Sequence, residues 1–86
     1  MNTQHEILLV EDDPNFGKVL KSYLEVHGYA VDLVDDGARA IGHFRRKQFS
    51  LCILDVMLPH RDGFDIAREI RLINKTIPLF FSQPKG

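Results

Sequence analysis

Eighty-six residues, 44% of them hydrophobic and 27% charged, describe one small domain with a modest core. A net charge of −1 excludes nucleic-acid binding by bulk electrostatics, which calls for a clustered basic surface. The single cysteine excludes an internal disulfide framework, and no apolar run approaches a membrane span.

The polar opening Met1 to Glu6 is followed by only four apolar residues, which is no signal peptide, so a cytoplasmic location is expected. Residues 6–11 read as the first strand, apolar on both faces through Ile7-Leu8-Leu9-Val10 and running into Glu11-Asp12-Asp13. Asp13-Pro14 then opens a helix, with Asp13 as N-cap and Pro14 in the first helical position. Phe16, Leu20, Tyr23, Leu24 and His27 recur at helical spacing, and Gly28 is the expected terminator. Phe16, Tyr23 and, further on, Phe44 are expected in the core. Tyr29 to Val34 alternates only in part and ends at Asp35-Asp36-Gly37, so it reads as a second strand nearer an edge. A short helix follows, with Ala40, Ile41 and Phe44 as its apolar face. Arg45-Arg46-Lys47 falls at its end, where cations complement the helix dipole rather than mark a phosphate site.

Leu51-Cys52-Ile53-Leu54-Asp55 reads as a buried strand closed by the loop Val56-Met57-Leu58-Pro59, with Cys52 as a small core side chain. Asp62-Gly63 opens a third helix carrying Ile66, Ile70 and Ile73 on one face, Asp65 and Glu69 in its early turns, and Asn74 at its close. Pro78 starts a last apolar run, Leu79-Phe80-Phe81, ahead of Ser82-Gln83-Pro84-Lys85-Gly86. This β-α-β-α-β-α-β alternation with short connections demands an α/β fold with a parallel sheet and right-handed crossovers.

In open sheets of this kind, chemistry collects at the carboxyl ends of the strands. Asp55 stands at such an end, and Glu11, Asp12 and Asp13 stand at another. Clustered carboxylates repel one another unless a cation is present, and Mg2+ is the natural one: a hard ion that takes carboxylate and phosphate oxygens. With it bound, Asp55 is placed to act as a nucleophile toward phosphorus. Taken singly, Asp55 reads as a turn or capping residue; the pairing of two strand-end acidic groups favours a site. Gly37, Gly42 and Gly63 form neither a dinucleotide fingerprint nor a P-loop. The four histidines, His5, His27, His43 and His60, lack metal-ligand spacing, and His60 reads as a solvated loop side chain after Asp55.

The strings Leu8-Leu9-Val10-Glu11-Asp12-Asp13-Pro14, Gly28-Tyr29, Asp36-Gly37-Ala38 and Leu54-Asp55-Val56-Met57-Leu58-Pro59-His60-Arg61-Asp62-Gly63-Phe64 resemble the receiver domain of two-component response regulators. The resemblance runs from the first strand to Pro78. It implies a flavodoxin-like, doubly wound parallel sheet of order 2-1-3-4, with a fifth strand in a complete receiver. It implies that Asp55 accepts a phosphoryl group from a phosphohistidine on a sensor histidine kinase. Glu11 and Asp12, with Asp55 and the backbone carbonyl of Met57, match the family's Mg2+ ligands. The local sequence most resembles regulators whose receiver precedes a winged-helix DNA-binding domain. Residues 1–86 are thus expected to be a single receiver, its ordered α/β part about 5–82. A haloacid-dehalogenase-like phosphatase is disfavoured, because that family wants an acid where Met57 stands.

The family's switch residues lie beyond the third helix. Counting from Pro78, its phosphate-binding hydroxyl position falls on Gln83, with Ser82 one place early; Ser82 takes the role only if the strand slips by one, and such a slip reverses the side-chain faces. The family's lysine is absent, since Lys85 does not follow a further helix and strand and reads as a tail charge. The pattern's fourth helix, fifth strand and fifth helix are missing, so a truncated receiver is expected, by design, by a frameshift after Phe81, or by natural curtailment. Strand 4 is then an edge with poorly covered Phe80 and Phe81, and self-association, with strand exchange through that edge, is expected. The competing reading is a receiver-like interaction module that no longer takes up phosphate.

Overall fold

Four strands and three helices alternate through the residues that the computed structural model describes, 5–58 and 61–83. In chain order they are β1 (Glu6–Val10), α1 (Pro14–Val26), β2 (Ala30–Val34), α2 (Gly37–Arg46), β3 (Leu51–Asp55), α3 (Gly63–Ile73) and β4 (Leu79–Ser82). All strand pairs are parallel and the sheet order is β2-β1-β3-β4, the flavodoxin-like arrangement expected. Each strand reaches its parallel neighbour only through a crossover, and a helix is what supplies it.

Every helix is opened by an aspartate. Asp13 accepts from the backbone N–H of Asn15 (2.9 Å) and Phe16 (3.3 Å), Asp36 from Ala38 (2.9 Å) and Asp62 from Asp65 (2.8 Å). These carboxylates satisfy N–H groups that a helix start leaves without partners. Helix α1 ends through Gly28, whose φ of +93° is a left-handed conformation that costs glycine nothing. Asn74 caps α3 through its N–H on the Ile70 carbonyl (2.7 Å), and its side chain turns the chain by accepting from Thr76 and Ile77.

Strand alternation sorts the core into two faces. Leu8, Val10, Val34, Cys52 and Leu54 pack under α2 and α3, against Ala40, Phe44, Ile66, Ala67 and Ile70. Ile7, Leu9 and Val31 face α1, joined by Leu20, Leu24, Leu33 and Ile53. Cys52 is fully buried in the first face, and burial pushes its thiol up to about 12, against the opposing charge of Arg71. The basic run does lie at the end of α2, where Lys47 stands 3.5 Å from both Glu6 and Asp32; their charges, Asp32 first, raise its pKa.

Three side chains depart from the sequence reading. Phe44 is buried as expected, but Phe16 and Tyr23 are 36% and 60% exposed. Among the described residues only α1 covers that face, and it rests on Gly17, Leu20 and Leu24, which leaves Phe16 and Tyr23 on its flanks. Ile73 occupies the last helical position, where the chain turns away at Asn74, and is 44% exposed. Strand β4 is an edge, with Phe80 and Phe81 both largely exposed and Phe81 resting on Phe64 at 4.8 Å between ring centroids. Phe64, Ala67, Leu72, Leu79 and Phe81 line an open apolar groove of about 660 Å³ between α3 and β4.

Gly42, mid-way along α2, has nothing within 4 Å of where a Cβ would stand. Gly42→Ala should therefore stabilise the chain by about 0.5–1 kcal/mol through helix propensity alone. Thermal denaturation would show this as a melting temperature raised by several degrees; a lowered value would mean that α2 is not helical there.

Candidate functional site

The strand order reverses between β1 and β3, and at the carboxyl end of that switch point the acidic residues converge. Val10 pairs with Leu54, so Glu11 and Asp55 follow side by side on the face toward α1; Asp55 in turn pairs with Ser82. Glu11, Asp55 and Ser82 thus form one row across three strand ends. Asp12, exposed, completes a cluster in which Glu11, Asp12 and Asp55 each bring a carboxylate oxygen within 4.8 Å of the others. The Asp13 side chain is used instead as the α1 cap.

Glu11 and Asp55 are each only 1% exposed, and they are the buried charged residues of the fold among those described. Asp55 Oδ1 accepts from the Met57 N–H at 2.9 Å, which orients the carboxylate and turns the chain sharply after β3. Glu11 Oε2 accepts from the Asp13 N–H at 3.1 Å, while its Oε1 is buried without a partner among the described residues. Burial foremost, then the neighbouring Asp55 and Asp12 charges, push the Glu11 pKa up to about 7 against the lowering effect of the Asp13 N–H. A buried carboxylate oxygen with no donor, inside a set of hard oxygen ligands, fits a divalent cation such as Mg2+. The Met57 side chain is exposed, while its backbone N–H reaches the Asp55 carboxylate.

The loop after Asp55 is fixed at both ends. The Val56 N–H donates to the Ser82 carbonyl (3.0 Å) and the Gly63 N–H to the Val56 carbonyl (3.2 Å). Further along, Arg61 and Glu69 form an ion pair that ties the loop to α3. The readings of His60 and Lys85 lie outside the described residues.

The sheet register places Ser82, not Gln83, opposite Asp55. The Ser82 Oγ is buried and lacks a partner among the described residues, on the same row as Asp55, while Gln83 lies past the strand and exposed. No slip of β4 is needed to bring Ser82 there. The register Cys52–Leu79, Ile53–Phe80, Leu54–Phe81 delivers it directly.

A family model of the response regulator receiver domain matches residues 7–83. The chain belongs to that family. This receiver is 41% identical over 85 residues to the transcriptional regulatory protein RprY of Bacteroides fragilis, an alignment covering 99% of the receiver and 36% of RprY. The non-phosphorylated HemR receiver domain from Leptospira biflexa matches with a TM-score of 0.88 and 38% identity, over 93% of this receiver and 64% of that chain. Response regulator TrrA from Thermotoga maritima, in complex with Mg2+ and BeF, matches with a TM-score of 0.90 and 31% identity, over 96% of this receiver and 72% of that chain. The receiver spans 36%, 27% and 33% of three curated relatives that are named as transcriptional regulators: RprY, ycf27 of Cyanidium caldarium and ResD of Bacillus subtilis. Among the described residues no helix is long and apolar enough to cross a membrane.

Proposed function

We propose that this receiver takes a phosphoryl group from a phosphohistidine of a sensor histidine kinase onto Asp55. The observation that supports the reading most is the row Glu11–Asp55–Ser82 at the switch point, with Asp12 beside it. The Met57 N–H holds Asp55 Oδ1, which leaves Oδ2 to attack phosphorus while the phosphorus–nitrogen bond of the donor breaks and its imidazole departs. Glu11, Asp12, Asp55 and the Met57 carbonyl are the ligands we assign to Mg2+. Bound there, the ion supplies neutralising charge for the phosphoryl oxygens. The Ser82 hydroxyl, buried without an acceptor, is assigned to donate to one of those oxygens; a buried hydroxyl left without a partner is unfavourable until it finds one.

On this reading residues 1–86 act as one receiver with an ordered part of about 5–82. The chain is a phosphoacceptor rather than an enzyme, works in the cytoplasm and serves a transcriptional output like that of the regulators it resembles. We further propose self-association through β4, with exchange of strands between copies, because an apolar edge offers unpaired backbone groups for pairing. The same exposed edge favours the second reading, a module that binds partners without taking up phosphate.

Intact mass decides between the two. After incubation with Mg2+ and phosphoramidate, the parent should gain one phosphoryl group and Asp55→Asn none, since the amide is not a nucleophile. A chain that is folded by circular dichroism yet gains nothing would leave the interaction module standing.

A further inference from the structure

We propose that Gly37 and Gly63 are positioning residues for the phosphoacceptor. Each opens a helix, and each lets that helix close on the segment between β3 and α3, fixing the main chain around Asp55. The inference rests on the functional reading above.

The tightest contact at each glycine is with backbone. A Cβ on Gly63 would stand 2.4 Å from the Asp55 carbonyl oxygen, 3.0 Å from the Asp55 carbonyl carbon and 3.3 Å from the Val56 Cα. No side-chain rotation relieves such an overlap; either α3 backs away or the peptide between Asp55 and Val56 turns. Gly63 has no positive φ, so the demand at this position is for space alone. From α2, a Cβ on Gly37 would meet the Arg61 carbonyl oxygen at 3.0 Å and the Ile66 Cδ1 at 3.2 Å. Both glycines are buried.

Helix α3 presses on the short length of chain that builds the site, and α2 presses on Arg61 farther along the same connection. The Val56 carbonyl receives the Gly63 N–H, the Val56 N–H holds the Ser82 carbonyl, and the next N–H, that of Met57, orients the Asp55 carboxylate. A side chain at position 63 would displace the Asp55 carbonyl and hence the neighbouring Met57, which carries both that N–H and the carbonyl assigned to the metal. A side chain at position 37 would push on the same segment from Arg61. Neither glycine needs to touch the phosphoryl group to set its reactivity. Gly42 offers the contrast, a glycine with open space around it.

The test compares Gly37→Ala, Gly63→Ala, Gly42→Ala and Ile70→Val in the 86-residue chain. Mg2+ affinity is read from the amide signals of Val56 and Met57, and the phosphorylation rate from intact mass with phosphoramidate at saturating Mg2+. Displacements well under 1 Å at a reacting group are expected to weaken Mg2+ binding and slow phosphorylation about tenfold in Gly63→Ala and about threefold in Gly37→Ala. Gly42→Ala and Ile70→Val should stay within about twofold of the parent, although Ile70→Val removes a core methyl group from α3 and melts earlier. That divergence from Ile70→Val separates positioning from mere stability. Folded glycine variants with parental affinity and rate would overturn the proposal. Should Gly63→Ala not fold, the milder Gly37→Ala decides alone by the same criterion. A folded parent that neither binds Mg2+ nor gains a phosphoryl group would overturn the functional reading, and this inference with it.

Discussion

Replacing Glu11 with glutamine should leave the metal-free receiver more stable near neutral pH and abolish its response to Mg2+. Glu11 is buried beside Asp55, with one oxygen on the Asp13 N–H and the other without a donor among the described residues. Its pKa is raised from the ordinary 4.5 to about 7, so the folded chain binds this proton more tightly than the unfolded chain does. The sign follows from linkage. The stabilisation from the bound proton is complete below about 4.5 and is lost as pH rises toward 7. The loss amounts to roughly 1–3 kcal/mol by the usual conversion of pKa shift to free energy. Glutamine keeps the shape and carries no charge, so the parent-minus-variant difference in stability should shrink as the pH is lowered. Mg2+ acts the other way, because it needs the ionised carboxylate. At a hundredfold excess over its dissociation constant a ligand stabilises its folded site by about 2.7 kcal/mol, an effect the parent should show and Glu11→Gln should not. Melting curves across pH, in chelator and in Mg2+, measure both halves. A Mg2+ response preserved in Glu11→Gln would remove this residue from the metal set.

Elements whose signals are local are legible in the amino-acid sequence alone. Each helix start is written as an aspartate that can reach N–H groups two or three residues on, and the end of α1 as a glycine that accepts positive φ. The acidic pair is legible for a related reason: an acid directly after a buried apolar run has nowhere to be except the strand's carboxyl end. Phe16 and Tyr23 are misplaced by their spacing because a helical period defines a stripe only loosely, and what lies over the stripe is decided by neighbouring elements. One helix over a four-stranded sheet leaves its flanks uncovered. Ser82 is ambiguous in sequence because register is a tertiary quantity. Counting from Pro78 selects Gln83, whereas pairing Leu79 with Cys52 puts Ser82 opposite Asp55. Gly37 and Gly63 are legible as helix-start and motif residues but not as points of close packing, since an approach of one backbone to another leaves no trace in composition.

The second large effect is expected at Ile66. This side chain is fully buried on α3, belongs to the core shared by α2 and α3, and reaches the space beside Gly37. Ile66→Ala removes buried methyl and methylene groups at a point where α2, α3 and the sheet meet, so the surroundings have little freedom to collapse into the gap. Losses of about 2–5 kcal/mol are typical for such a substitution. A chain of this length has a total stability of about 4–13 kcal/mol at the usual per-residue values, so the variant should lose a large share of it and melt far below the parent. Leu72→Ala, on the same helix but 84% exposed, should change stability by no more than about 0.5 kcal/mol. Urea denaturation of the pair, followed by circular dichroism, makes the comparison on one helix with one type of change. Equal midpoints would mean that α3 contributes little to the closed core, and then its first residue would have no firm base from which to press on Asp55. A collapse confined to Ile66→Ala would instead show that the helix closing on Asp55 is held there by the core, so that the geometry around Asp55 and the stability of the fold depend on the same packing.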